Sequence, residues 1–364
     1  MSAIGFIKIM ILMKNKNTIF LSQTFTLVFT LGLVFLLTTA SSFACDFDQD
    51  NIDDPLTYDE SSLTWRANLS GSGTQLVVPA FGTPGGHLAP ANYLGANNPT
   101  MLGFVNDNFF WNIRIPDGTT DSSLNFGRSD ASYISGYDFN GDGLDDTVKV
   151  INRCSRLRQR CSRNDARFNI LYNNVNGNDV FANLQPLVSG FFGKGLSPIF
   201  IIDANNDGKH DVCYARNLRR DKRKFRVFCE DVATQERTGR FQIGRLHNIP
   251  LSININNQDQ VVLWRTRNRR SDTKIRLVDV NGNRKTFVIP SDGKVVVGDW
   301  LGTGSEQVGV STGGFLTIYN TLDGQITTIP VPAGESLDCK NNLSGIAAER
   351  FLNTRNSCDI LGCE

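Results

Sequence analysis

The sequence predicts an all-β protein, and three features lead to this prediction. Short apolar segments alternate with polar residues at a period of two, and no long stretch keeps the 3.6-residue period of an amphipathic helix. An aspartate-rich motif recurs along the chain. Glycine-containing dipeptides, which favour two-residue hairpin turns, close several segments: Asp117-Gly118, Asn176-Gly177, Asn281-Gly282 and Asp323-Gly324. With 364 residues, 40% of them hydrophobic, the chain can bury a large core.

The aspartate-rich motif divides the chain into units of similar length. Three segments match one template closely: residues 46–54 (DFDQDNIDD), 138–146 (DFNGDGLDD) and 203–211 (DANNDGKHD). Degenerate copies begin at Asn92, Asn254, Asp299 and Arg350, so that successive starts are 45 to 65 residues apart. Such a period indicates one supersecondary unit used many times.

Each unit contains four short strands in the order strand, Asp-rich loop, strand, hairpin, strand, turn, strand. The third strand aligns from unit to unit, at residues 65–68, 111–114, 168–171, 225–228, 275–278 and 316–319. Four antiparallel strands per roughly 45 residues predict a β-propeller of six or seven blades, and a β-sandwich array is the alternative. We expect one propeller domain over residues 45–364, with the two chain ends completing each other where the ring closes.

The first 44 residues predict a secretory signal peptide. Residues 26–39 are uncharged and mostly apolar, follow two lysines, and precede the small-x-small pattern Ser42-Phe43-Ala44. No later stretch approaches the roughly 20 apolar residues of a membrane span. We therefore expect an exported protein, either secreted or held in the periplasm or at the cell surface. A lipid anchor at Cys45 is the less favoured alternative, because Ser42 stands where such sites carry an aliphatic residue.

All eight cysteines follow the expected cleavage site, and an even number suits disulfide bonds in an oxidising compartment. Their spacing predicts one bond between Cys154 and Cys161, and a second between Cys213 and Cys229 across a hairpin. The other four cysteines allow three pairings, among which the sequence does not choose: Cys45, Cys339, Cys358 and Cys363.

The three intact motifs resemble the repeats of the FG-GAP and VCBS family, which are also found in the propellers of integrin α-subunit heads. Residues 298–310 (GDWLGTGSEQVGV) resemble a repeat of that family that has lost its ligands. The resemblance extends over essentially all of residues 45–364. It implies a calcium-stabilised propeller, often with a role in adhesion or ligand binding, although the fold alone does not fix a function.

The chemistry of the three motifs suits calcium, which takes about six to eight oxygen ligands. Positions 1, 3, 5 and 9 of each loop would supply side-chain oxygens, and position 7 a backbone carbonyl. Asn51 replaces glycine in the first loop, where it tolerates a positive φ. The expected ligands are Asp46, Asp48, Asp50, Ile52, Asp54, Asp138, Asn140, Asp142, Leu144, Asp146, Asp203, Asn205, Asp207, Lys209 and Asp211.

The loops do not belong to a helix–loop–helix calcium sensor, because no glutamate stands at position 12. The degenerate copies lack strong oxygen ligands, for example at Leu94, Ala96 and Leu301. We therefore expect about three calcium ions, bound in a structural role.

Basic residues are concentrated between the second and third strands of three consecutive units. Residues 153–167, 216–226 and 265–276 hold 19 Lys and Arg against three Asp, in a chain whose formal net charge is only +1. Equivalent places of neighbouring units should merge into one patch, which Arg forks would use to bind anions. The expected ligand-binding residues are Arg153, Arg156, Arg158, Arg160, Arg163, Arg216, Arg219, Arg220, Lys222, Arg223, Lys224, Arg226, Arg265, Arg267, Arg269 and Arg270.

Like charges would face each other even within one of these hairpins. If Cys213 pairs with Cys229, the antiparallel register sets Arg216 opposite Arg226 and Arg219 opposite Arg223. A solvated basic edge, without a ligand, is the alternative reading of the three segments.

Little in the sequence indicates catalysis. The chain has three histidines, each in a different unit (His87, His210 and His247), and no nucleophile or metalloprotease motif. His210 should point outward from the third intact loop, and Trp65 and Trp111 should pack in the core. The sequence thus predicts a non-catalytic, monomeric propeller that binds an acidic glycan or an acidic protein and no nucleic acid. A calcium-dependent polysaccharide lyase and a purely structural surface protein are the alternatives.

Overall fold

The computed structural model describes residues 45–336 with gaps at 96–97, 119–120, 129–130, 153–165, 174–180, 182–187, 193–198, 219–220, 245–249, 268–270, and in addition Cys339 and Ser344–Gly345. For residues 152, 166, 188–192, 217–218, 221–224, 266–267 and 344–345 only the backbone is described. The expected signal peptide, the repeat start at Arg350 and the expected Cys154–Cys161 bond lie outside the described residues.

The described secondary structure consists of β-strands. No helix in the described part of the chain is long and apolar enough to cross a membrane. The strands are β1 (Leu56–Asp59), β2 (Thr64–Asn68), β3 (Gln75–Val78), β4 (His87–Leu88), β5 (Leu102–Val105), β6 (Phe110–Arg114), β7 (Asp121–Asn125), β8 (Ala131–Ile134), β9 (Thr147–Asn152), β10 (Ala166–Leu171), β11 (Val188–Phe192), β12 (Ile199–Ile202), β13 (Asp211–Leu218), β14 (Asp221–Glu230), β15 (Arg237–Gly244), β16 (Leu251–Ile255), β17 (Gln258–Arg267), β18 (Asp272–Val278), β19 (Arg284–Ile289), β20 (Lys294–Gly298), β21 (Gln307–Thr312), β22 (Phe315–Tyr319), β23 (Ile326–Pro330), β24 (Glu335–Ser336) and β25 (Ser344–Gly345).

The strands form six antiparallel blades in a ring, so the expected β-propeller is confirmed and the described residues settle the blade number at six. The first blade is β24-β1-β2-β3, and the second is β4 to β7. The third is β8 to β11 with β25 added beside β8, and the remaining three are β12 to β15, β16 to β19 and β20 to β23. The predicted order within a unit holds, because each aligned segment is the third strand of its blade.

The two ends of the described chain meet in the first blade. β24 pairs with β1 and supplies the innermost strand that the N-terminal part of the blade lacks. A disulfide bond joins Cys45 to Cys339, with their Cα atoms 5.6 Å apart and a sequence separation of 294. Of the three pairings left open by the sequence, one contains this bond, and the other two are excluded. The ring is therefore closed both by hydrogen bonds and by a covalent bond.

Large side chains of the third strands fill the space between neighbouring blades. Trp65, Trp111 and Phe168 are almost completely buried, as expected for a recurring core position. The Trp65 indole N–H donates to the carbonyl of Phe81 at 2.5 Å, so the polar atom of this buried ring has a partner. Burial of these aromatic side chains against the next blade stabilises the contact between neighbouring blades.

A second set of contacts joins the blades near the Asp-rich loops. In each blade, a residue just before or at the start of the second strand hydrogen-bonds to the first residue of the preceding blade's loop. These pairs are Asp53 with Asp299, Thr100 with Asp46, Asp145 with Asn92, His210 with Asp138, Asp259 with Asp203, and Glu306 with Asn254. The six pairs form a continuous inter-blade clamp around the ring.

His210 belongs to this clamp, so the expectation that it points outward was wrong. Its Nδ1 lies 3.1 Å from the backbone nitrogen and 3.0 Å from the backbone oxygen of Asp138, and its ring meets Tyr137 edge-on. Position 8 of the loop is the last residue before the second strand, and there the side chain turns to the neighbouring blade rather than to solvent.

The hairpin of the fourth blade follows the expected register over most of its length. A disulfide bond joins Cys213 and Cys229, and Arg216 lies opposite Arg226. The register shifts between Asn217 and Leu218, and Leu218 then pairs with Asp221. A bulge of this kind is common where a strand ends near a loop. Arg219, which was expected opposite Arg223, lies outside the described residues.

Candidate calcium loops and basic hairpins

The Asp-rich loops and the basic hairpins occupy opposite ends of the blades. Each intact Asp-rich loop leads into the second strand of its blade, and in the third and fourth blades it joins the first strand to the second. Each basic segment follows the second strand and precedes the third. Because neighbouring strands are antiparallel, these two connections lie at opposite strand ends. Since the blades are arranged alike, the loops share one face of the ring, and the second strands end toward the other face at Asn152, Leu218 and Arg267, where the basic segments continue the chain.

The three intact loops share two internal hydrogen bonds. The carboxylate at position 9 accepts the backbone N–H of position 2, at 2.8 Å in the first and second intact loops and 3.0 Å in the third. The carboxylate at position 1 accepts the N–H of position 6, at 2.9, 2.7 and 2.9 Å. These bonds turn the side chains of alternate positions toward the inside of the loop.

The positive φ angles fall where the loops turn. Asn51, at position 6 of the first loop, has φ of 67°, as expected for a residue that replaces glycine. The equivalent Gly143 and Gly208 have φ of 84° and 83°. Residues without a Cβ, or with a short polar side chain, reach this conformation at least cost.

The first loop brings three carboxylates close together. One oxygen from each of Asp46, Asp48 and Asp50 lies within 4.8 Å of the others. Oδ1 of Asp48 is buried and has no hydrogen-bond partner among the described residues. A buried carboxylate oxygen without a partner is costly, and a bound cation would satisfy it.

Burial raises the pKa of the carboxyl groups at positions 1 and 9 of all three loops. The pKa of Asp54 rises to about 7 and that of Asp211 to about 6, in both cases because the carboxyl group is removed from water. The pKa of Asp146 is raised well above its ordinary value for the same reason. The same direction applies to the carboxyls of Asp46, Asp138 and Asp203. Cationic charge inside the loop would favour the ionised forms.

In the degenerate loop of the sixth blade, a side-chain amide lies among the oxygen atoms of the loop. Gln307 stands at position 9, and its Nε2 donates to Asp299 Oδ1 at 2.7 Å, to Thr303 Oγ1 at 2.8 Å and to the carbonyl of Ser305. These acceptors stand at positions 1, 5 and 7, which are three of the positions expected to hold calcium in the intact loops. The amide N–H groups thus occupy the place that a cation would take.

Two residues near the intact loops were not predicted from the sequence, because they lie outside the motif. Ser70 follows the third strand of the first blade, and its hydroxyl contacts both carboxylate oxygens of Asp50, at 3.0 and 2.9 Å. Its backbone N–H donates to Asp54. Asn173 takes the equivalent place in the third blade, where its N–H donates to Asp146 and its buried Oδ1 has no hydrogen-bond partner. Sequence spacing after the third strand is the only signal they share.

The structure describes only part of the expected ligand-binding surface. The side chains of Arg216 and Arg226 are half-buried in the fourth-blade hairpin, and Arg265 is exposed on the fifth blade. Arg267 and residues 222–224 are described by their backbones alone. The remaining expected residues lie outside the described part of the chain: Arg153, Arg156, Arg158, Arg160, Arg163, Arg219, Arg220, Arg269 and Arg270.

No described arrangement of side chains resembles a nucleophile with its base. The His87 ring packs 5.0 Å from that of Tyr133, and His210 is committed to the inter-blade clamp. His247 lies outside the described residues.

Comparisons with known proteins add little to this picture. No protein-family profile matches the chain, and no curated protein matches it in sequence. Among solved structures, the Dos1 propeller aligns with a TM-score of 0.36 at 10% identity, over 75% of this chain and 66% of that one. The rhamnogalacturonan lyase YesW aligns with a TM-score of 0.32 at 11% identity, over 72% of this chain and 49% of that one. Neither likeness indicates a function for this chain. The chain spans about two thirds of the length of the Dos1 propeller and about half of the length of the lyase.

Proposed function

We propose that the chain is an exported, calcium-stabilised, non-catalytic β-propeller that binds a polyanionic ligand, an acidic glycan or an acidic protein, in recognition or adhesion. The ligand binds the face that carries the basic hairpins of the third, fourth and fifth blades, and the calcium loops occupy the opposite face. The protein acts as a monomer.

The observation that carries this proposal is the common placement of the three basic segments. In sequence, each lies between the second and third strands of consecutive blades, and we expect their 19 Lys and Arg, with only three Asp, to adjoin on one face. Arg216 and Arg226 are direct cross-strand neighbours, an arrangement of like charges that is destabilising without a counter-charge. A polyanion supplies that counter-charge.

Calcium would be held by positions 1, 3, 5, 7 and 9 of the loops at residues 46–54, 138–146 and 203–211. When bound, it neutralises buried carboxylates whose pKa values are otherwise raised, and it fixes the loop next to the inter-blade clamp. The buried, unpartnered oxygen of Asp48 and the amide of Gln307 in the cation's place both support this assignment.

Export through an N-terminal signal peptide agrees with the disulfide bonds of Cys45 to Cys339 and of Cys213 to Cys229, which are typical of an oxidising compartment. We propose this compartment as the place where the ligand is met.

The proposal is tested by binding of the exported protein to acidic and neutral glycans at two salt concentrations. Binding should be restricted to acidic glycans and should fall steeply with salt. It should disappear in a variant whose basic residues from 216 to 226 are replaced by serine. Equal binding to neutral glycans, or cleavage of an acidic glycan, would overturn the proposal in favour of other carbohydrate recognition or of a lyase. No binding at all would favour a structural role.

A further inference from the structure

One face of the fourth blade carries an unusual group of side chains, which we call the arginine cluster. Its members are Arg216, Arg226, Arg237 and Arg240 around the rings of Tyr214 and Phe228. Tyr214, Phe228 and Arg240 are cross-strand neighbours on β13, β14 and β15, and Arg216 and Arg226 lie beside them. The opposite face of the same strands is apolar and packs against the fifth blade. Arg237 and Arg240 lie on β15, outside the hairpin segment that the sequence singled out.

Three guanidinium groups surround one aromatic ring. The Cζ atoms of Arg237, Arg216 and Arg240 lie 5.0, 5.6 and 5.9 Å from the ring centroid of Phe228. The Tyr214 ring stacks on Phe228 at 5.6 Å and lies 5.1 Å from Arg216. Attraction to the ring faces holds the cations in place but leaves their N–H groups available to an anion.

The cluster has little negative charge of its own. Glu230 is the acidic residue beside it, and its Oε1 accepts a hydrogen bond from the Tyr214 hydroxyl at 2.9 Å. Within the part of the chain that the structure describes, none of the four arginines forms an ion pair with a carboxylate. Among the described residues, their mutual repulsion is compensated by the two rings, by nearby Glu230 and by solvent.

The cluster is open to solvent on one side. Arg237 and Arg240 are exposed, whereas Arg216, Arg226 and Phe228 are half-buried and Tyr214 is buried. Arg216 Nε is buried without a hydrogen-bond partner among the described residues, and a buried donor of this kind is costly to leave unpaired. The two aromatic rings pack against the core between the third and fourth blades, and the several guanidinium groups beside them suit one anionic group.

We propose that the arginine cluster of the fourth blade is a specific subsite for a carboxylate or sulfate group of an acidic glycan. This inference rests on the proposed function and deepens it, because it places one anionic group at named residues beside the hairpin. A glycan fits better than an acidic protein segment, because its charged groups project from rings whose C–H faces can pack beside the half-buried ring of Phe228.

The test compares binding of heparin, polygalacturonate, dextran and poly-glutamate to the full exported chain. The variant Arg237→Ser/Arg240→Ser lies outside the hairpin and should raise the Kd for heparin and polygalacturonate about ten-fold or more, since each lost charge-assisted bond weakens binding. Arg284→Ser/Lys285→Ser is the matched control, because it removes the same charge from the exposed outer strand of the next blade. It should change the Kd by less than about two-fold. Phe228→Leu keeps every charge but removes the ring, and should weaken binding by a few-fold.

The outcomes separate the two proposals. If the chain binds acidic glycans and loses them in the hairpin variant, but binds normally in Arg237→Ser/Arg240→Ser, the arginine cluster is not the subsite and the proposed function stands. If the unaltered chain binds none of heparin, polygalacturonate and poly-glutamate, both proposals fail. Tighter binding of poly-glutamate than of either glycan would overturn the glycan as occupant. Thermal unfolding of each variant shows that it is folded.

Discussion

Asp53 and Asp299 hydrogen-bond to each other across the point where the ring closes. Oδ2 of Asp53 accepts the backbone N–H of Asp299 at 2.6 Å, and the N–H of Asp53 donates to the carbonyl of Asp299 at 3.1 Å. The two residues are 246 apart in sequence, and both are buried. The other oxygen of Asp53 accepts the N–H of Cys45, which forms the disulfide bond with Cys339. One carboxylate thus links the first blade, the last blade and the covalent closure.

We expect Asp53→Ala to destabilise the protein by about 3 kcal/mol, because it leaves two buried backbone N–H groups without acceptors. Denaturant unfolding with the disulfide bonds intact measures the change. Asp53→Asn keeps one acceptor and should lose less, and Asp323→Ala in an exposed turn is the control. An unchanged free energy of unfolding in Asp53→Ala would show that the disulfide bond and β24 suffice to close the ring.

The exported protein should retain about three calcium ions per chain after dialysis against metal-free buffer. Asp146→Asn and Asp211→Asn should each reduce the number by one, because each removes a position-9 carboxylate from one loop. Elemental analysis measures the ratio. Asp279→Asn, in an exposed turn between β18 and β19, is the control and should leave the number unchanged. Retention of all the calcium in both loop variants would contradict the assignment.

The stability of the metal-free protein should fall as pH rises through about 4 to 7. Burial raises the pKa of Asp54 to about 7 and that of Asp211 to about 6 in the folded state, against an ordinary value of 3.8. The folded state therefore binds more protons in this range. The stability contributed by these two carboxyl groups is fully present below their pKa in the unfolded state. It is lost as pH rises through their pKa in the folded state.

Calcium binds the ionised carboxylates, so its stabilising effect should grow over the same range of pH. Thermal unfolding with EDTA or with calcium, between pH 4 and 8, measures both curves. The variant Asp54→Asn/Asp211→Asn should flatten the EDTA curve. Stability in EDTA that increases from pH 5 to pH 7 would be incompatible with the raised pKa values.

Gln307→Ala should destabilise the protein by about 2 kcal/mol whether or not calcium is present. The substitution removes the donor to the buried Asp299 carboxylate and to two further loop oxygens. By contrast, Asp211→Ala should lower the stability more in calcium than in EDTA, because it removes a calcium ligand in addition to the acceptor of the Ala204 N–H. Unfolding of both variants under both conditions tests the comparison. A calcium-dependent loss in Gln307→Ala would mean that the sixth loop also binds the ion.

The blade architecture could be predicted because a propeller repeats its local pattern. Period-2 alternation, the turn at Asn281-Gly282 and the aligned third strands were sufficient to order the strands, and Trp65 and Trp111 are buried as expected. The blade number could not be predicted, because the seven motif starts do not show that the first blade takes its innermost strand from β24. That pairing depends on ring geometry rather than on local sequence.

The candidate sites were predicted only as far as they lie within a motif. The prediction that Asn51, at position 6 of the first loop, adopts a positive φ is confirmed. Ser70 and Asn173 were missed because they reach the loops from the next connection of the blade. Arg237 and Arg240 were missed because they belong to the fourth strand and meet Phe228 only through cross-strand pairing. The role of His210 depends on the neighbouring blade, which a single repeat does not reveal.

Hydrogen–deuterium exchange of the calcium-loaded protein, with and without heparin, tests the central claim most directly. The claim is that the basic hairpins and the calcium loops lie on opposite faces and that the polyanion binds the hairpin face. Heparin should slow exchange in residues 211–230 and 258–278 and leave residues 46–54 and 203–210 unchanged. Protection of the Asp-rich loops without protection of the hairpins, or no protection anywhere, would contradict the account.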